Sequence, residues 1–105
     1  MKTNKTIEIF RRERDWSGEE SLTSLGNFNV YLEEHYTKDK HYASGGRDSA
    51  PLDIVQESKG FFIIFDELDL KNASIKYDEK TYVVGWIDTY FDMKNRFHHT
   101  EAMFK

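Results

Sequence analysis

Hydrophobic and polar residues alternate along much of the chain with the period of a β-strand. Over residues 5–13, Ile7 and Ile9 fall on one face and Glu8, Phe10 and Arg12 on the other, which predicts a first strand. Asp15-Trp16-Ser17-Gly18-Glu19-Glu20 is a turn cluster. Residues 21–25 extend or bulge the segment after this turn, and Gly26 is expected to break it. Alternation returns over residues 27–34 through Phe28, Val30 and Leu32, predicting a second strand. A short helix over residues 30–36 is the competing reading, since Tyr31, Leu32 and His35 can share a helical face.

Residues 37–52, TKDKHYASGGRDSAPL, are the most polar stretch and hold a glycine pair and the chain's one proline. So little there can be buried that a long loop is expected, functional or disordered. The chain resumes over residues 53–57, and GFFIIFDE from Gly60 reads as a strand buried on both faces because it offers no polar side. Residues 74–77 and 81–88 form a hairpin around Asp78-Glu79-Lys80, and residues 96–104 are expected to pair back on residues 81–88. The fold class is therefore all-β: a small antiparallel barrel or sandwich, one domain over residues 1–105, with at most one short helix. Phe61, Ile63, Phe65, Ile75, Val84, Trp86 and Ile87 are the expected core.

Composition sharpens this picture. Only 38% of residues are hydrophobic but 15% are aromatic, so a few large rings must supply much of the burial. So lean a core suggests help from a partner or from self-assembly. With no cysteine there is no disulfide framework and no thiolate ligand or nucleophile. The N-terminal MKTNKTIEIF lacks the apolar run of a secretory signal, and no run reaches membrane-span length, so a cytosolic site and no membrane contact are expected. A net charge of −4 argues against a sequence-independent grip on nucleic acid. Charge is nonetheless uneven: Arg11, Arg12 and Arg14 cluster near the start, and Asp66, Glu67 and Asp69 near the middle.

Candidate chemistry is sparse. His98-His99 followed by Glu101 hints at a metal, but strand alternation puts His99 and Glu101 on one face and His98 on the other. That leaves two ligands without a third unless His35 or His41 joins them through the tertiary fold. Asp66, Glu67, Asp69, Asp88 and Asp92 lack the EF-hand spacing, and the acidic residues of DELDLKN read as solvated turn residues. Gly45-Gly46-Arg47 lacks the lysine and hydroxyl of a phosphate loop. No catalytic, cofactor or metal site is expected, and the aromatics read as core rather than as a platform for bases.

Residues 73–105 carry a resemblance. ASIKYDEKTYVVGWID, then the Asp-containing turn TYFDMKN, then the closing RFHHTEAMFK, is similar to the minor capsid proteins of tailed phages and prophages. These in turn resemble the head-completion, or stopper, proteins between head adaptor and tail. The chain departs in having Asp78-Glu79-Lys80 at the hairpin tip, where many relatives place glycine. The resemblance implies a small barrel in a homo-oligomeric ring around the DNA channel of the virion, assembled in the host cytoplasm. Its neighbours would be the head adaptor or portal side and the tail-completion proteins, with packaged double-stranded DNA close by. It implies no catalysis and no cofactor. The polar loop, through Lys38, Asp39, Lys40, Gly45, Gly46, Arg47 and Asp48, would line the channel or an interface, and His98, His99 and Glu101 would mark the closing strand. The alternative is a small oligonucleotide-binding barrel that takes single strands.

Overall fold

The computed structural model describes residues 2–34 and 58–105. These form six strands: β1 (Lys5–Arg14), β2 (Glu20–Glu34), β3 (Gly60–Ile64), β4 (Ala73–Tyr77), β5 (Lys80–Phe91) and β6 (Phe97–Phe104). All neighbours pair antiparallel, and the ring order β1-β2-β3-β6-β5-β4 closes into a barrel. No helix occurs among the described residues. The strand reading of residues 27–34 holds against its helical rival up to Glu34. The expected loop over residues 37–52, its named charged and glycine positions, the return over residues 53–57, and His35 and His41 lie outside the described residues.

Two three-strand meanders build the ring, β1-β2-β3 and β4-β5-β6. They join along two seams, where β3 pairs with β6 and β1 with β4. Inward residues of every strand make one core, including Ile7, Ile9, Val30, Phe62, Ile64, Ile75 and Phe104, all at most 1% exposed. Phe104 sits edge-on to both Tyr77 and Tyr82, which stack on each other 5.1 Å apart. Strand β3 is buried on both faces, as its unbroken apolar run predicts: Phe61 and Ile63 turn outward and cluster with Met103.

Strand β2 corrects one expectation. Gly26 does not end it. At φ +116° Gly26 accommodates a bulge, and the register passes from Ile9↔Gly26 to Phe10↔Ser24, leaving Leu25 as the extra residue. The strand thus bends and continues.

Three expected core residues are also corrected. The register skips Gly85 between Val84↔Phe104 and Trp86↔Met103, and this second bulge turns Trp86 outward, where it is half-buried against the outer cluster. Phe65 leaves the end of β3 and joins the same cluster, also half-buried. Ile87 is 39% exposed because β4 pairs with β5 no further than Ser74↔Val83, so among the described residues no strand flanks β5 at Ile87 on that side.

The link between the meanders, residues 65–72, must pass from β3 to β4 on the opposite side of the ring. It crosses one end of the barrel and plugs it with Leu70, 2% exposed, while Leu68 packs partly against the core. Beyond this plug two hairpin arms project from the same end. In one, the ends of β1 and β2 pair out to Arg14↔Glu20; in the other, β5 and β6 pair out to Phe91↔Phe97. Among the described residues β2 meets β3 only from Val30 to Glu34, so residues 20–29 have no strand on their outer edge.

Two positions give local tests. A Cβ on Gly60 would lie 2.3 Å from the Glu33 carbonyl oxygen and 2.9 Å from the Glu34 Cα, both immovable backbone. Gly60→Ala is expected to cost about 3 kcal/mol, the upper end of what single substitutions commonly cost, by chemical denaturation. In the two-residue turn between β4 and β5, both Asp78 (φ 49°) and Glu79 (φ 65°) are left-handed, the geometry in which glycine is favoured at the second position. Glu79→Gly should therefore stabilise by about 1 kcal/mol, read from the same denaturation midpoint.

Candidate functional site

The closing hairpin brings His98, His99 and Glu101 together, though not in the arrangement that simple alternation predicts. Between Tyr90↔His99 and Phe91↔Phe97 the register slips, and His98 is the additional residue on β6. The bulge re-aims its side chain, so the two imidazoles touch, Nδ1 to Nδ1, at 2.7 Å instead of standing on opposite faces. Such a contact needs one nitrogen to carry a proton and the other to offer its lone pair. His99 and Glu101 do share a face, as expected, with Nε2 3.3 Å from Oε2 and side chains only 17% and 11% exposed.

Aromatic neighbours hold His99 in place. Its ring stacks on Tyr90 at 4.7 Å and 13°, and Phe65 tilts against it at 6.2 Å. Asp88 stands directly across from Glu101 on β5. Two imidazoles in mutual contact and one adjacent carboxylate make a hydrogen-bonded, stacked patch. Among the described residues no three His, Cys, Asp or Glu side chains are placed to hold a metal ion. The patch can fix the closing strand and present polar atoms to a neighbour.

The two charge clusters seen in the sequence meet in the fold. Arg11 on β1 donates to the backbone carbonyl of Asp69 in the crossover at 2.8 Å, which pins the plug to the β1–β2 arm. Arg14 pairs with Glu20 across the arm at 2.8 Å, with both side chains well exposed. Asp66 and Glu67 are exposed, and Asp69 accepts the backbone N–H of Lys71, so all three behave as turn residues. Beside the crossover lies a cleft of about 360 Å³ walled by Leu68 and by Thr89, Phe91, Phe97 and Thr100 of the β5–β6 arm.

Sequence reading missed a repeated device at the arm tips. Asp15-Trp16-Ser17-Gly18-Glu19 and Asp92-Met93-Lys94-Asn95-Arg96 form the same turn. In each, the aspartate Oδ1 accepts the backbone N–H groups of the second and fourth residues after it. The third residue has positive φ, Gly18 at 87° and Asn95 at 60°, and donates its N–H to the aspartate carbonyl. The residue after each aspartate is large, apolar and wholly in solvent: Trp16 is 98% exposed and Met93 103%. The shared Asp-x-x-Gly/Asn spacing was visible, but its meaning depends on the side-chain hydrogen bonds. No family model matches the chain, and no curated protein or solved structure matches it either.

These turns carry a pH signature. The Ser17 hydroxyl and then the Glu19 N–H hold the Asp15 carboxyl below its ordinary pKa; the Arg96 N–H, followed by the Lys94 N–H and the Arg96 side chain, does so for Asp92. A lowered folded pKa means that the stabilisation is complete above the ordinary carboxylate range and is lost as pH falls through the lowered values. The amide resonances of Ser17, Glu19, Lys94 and Arg96 should therefore titrate together below pH 3.8, the ordinary aspartate value, while the barrel core is still protected. Titration at the ordinary value would show that the carboxylates do not hold the turns.

Proposed function

We propose that this chain is a structural component of a tailed-phage virion, one subunit of a homo-oligomeric ring at the head–tail junction. In this reading the ring connects the head adaptor to the tail and helps to retain DNA in the channel. The proposed role is one of assembly, without catalysis or a cofactor. The observation that carries the reading is the run of residues 73–105: hairpin, Asp-containing turn and His-His-x-Glu closing strand in the order of the minor capsid and head-completion proteins. The closed small barrel is compatible with it, and that run supplies β4, β5 and β6, half of the barrel.

The test is the fate of the protein in particles produced from the genome that encodes it. The expected result is retention in purified virions through a high-salt wash, with immunogold label at the neck. Absence from particles, together with steeply salt-dependent binding to single strands, would replace this reading with that of an oligonucleotide-binding barrel.

A further inference from the structure

The hydrogen bonds around the closing bulge fix where its protons sit. Nε2 of His99 faces the Glu101 carboxylate at 3.3 Å, and a carboxylate only accepts, so this nitrogen carries a hydrogen. A neutral His99 then offers a lone pair at Nδ1, and the 2.7 Å contact is His98 donating its Nδ1–H to that lone pair. The result is a chain of donors running from His98 to His99 to Glu101. Its outer end is open: His98 is exposed, and its Nε2 meets no partner among the described residues. Its inner end is clamped, with the His99 ring stacked on Tyr90 and Phe65 tilted against it.

We propose that the His98–His99 contact is an acid-released latch on the β5–β6 arm. A first proton enters at His98 Nε2 and leaves the contact in place, now as a charge-assisted hydrogen bond. A second must enter at His99 Nδ1, the acceptor. It removes the lone pair that holds His98 and sets two imidazolium N–H groups against each other. His99 keeps its place, since its Nε2–H then donates to Glu101 within an ion pair. His98, the extra residue of the bulge, is released. The described groups that face the pair are Glu101 on β6, Tyr90 and Asp88 across on β5, and Asp92 with its partner Arg96 at the arm tip. Three carboxylates against one guanidinium supply counter-charge for two imidazolium rings, and Phe65 from the crossover brings none. Phe97, the neighbour of His98, walls the cleft beside the crossover, so opening the latch frees one wall of that cleft. The device does not depend on the ring reading.

NMR of the labelled imidazole nitrogens in the full chain, followed from about pH 8 to about pH 4, reads each site separately. At the upper end the hydrogens should sit on Nε2 of His99 and Nδ1 of His98. On acidification His98 should gain its proton first, with the Phe97 and His98 backbone amides unmoved. When His99 gains its own, those amides should shift and their hydrogen exchange, corrected for pH, should quicken at least about tenfold while circular dichroism stays unchanged. The Lys94 and Arg96 amides, which report the Asp92 turn, should not follow this step. In His98→Ala, a change at an exposed position, His99 should titrate in one step and the Phe97 amide should stay still. A hydrogen on His99 Nδ1 at the upper end overturns the proposal, and this is read on the parent chain without any variant. So does titration of both rings with the Phe97 amide unmoved, general unfolding at that step, or a Phe97 transition that persists in His98→Ala.

Discussion

Closure of the barrel depends on β3, five residues long and hydrogen-bonded on both edges. Among the described residues it is the only strand that joins the first meander to β6, and its first residue must pass so close to Glu33 and Glu34 that no side chain fits. The β1–β4 seam, the other join, spans four residue pairs. Without β3, residues 30–34 of β2 and residues 100–104 of β6 would each lose the strand on one edge. An apolar run with no polar side is what such a position requires, since β3 packs inward on the barrel core and outward on the Met103 cluster.

The brevity of β3 also creates the features of chemical interest. Strands β1, β2, β5 and β6 outrun it, so their ends leave the ring as two arms, and the chain leaving β3 has to cross the opening between them. The crossover plugs the barrel with Leu70 and is anchored by Arg11 on one side. On its other side, against the β5–β6 arm, it leaves the cleft. Plug, arms, cleft and exposed Trp16 all derive from one strand stopping at Ile64.

Much of this was legible in the sequence. Alternation located β1 and the inner half of β2, the unbroken apolar run located β3, and the hairpin and closing strand fell where their turn residues put them. What escaped was set by bulges. Extra residues at Leu25, Gly85 and His98 leave no mark on hydrophobic periodicity, yet each changes which way a side chain points. Trp86 and His98 were misplaced for that reason, and Gly26 was read as a stop when it is a bend. Ile87 failed for another cause: its exposure depends on where β4 begins, which the local pattern around Ile87 does not report. The His99–Glu101 pairing survived because no bulge lies between them.

The hairpin pairs β1–β2, β4–β5 and β5–β6 differ from β2–β3 and the two seams in how far apart their partners lie along the chain. Strands β4, β5 and β6 meet through turns of a few residues, as do β1 and β2, and such local pairs close quickly and at little entropic cost. The seams join residues much farther apart, Ile9 to Ile75 and Phe61 to Met103. A chain built this way is expected to form its hairpins first and to close β2–β3 and the two seams late, so that the search for these long-range pairs sets its folding rate. Until they close, the Phe61–Ile64 strand stands with both apolar faces in water, and the slowest step in making this barrel is also its most aggregation-prone one.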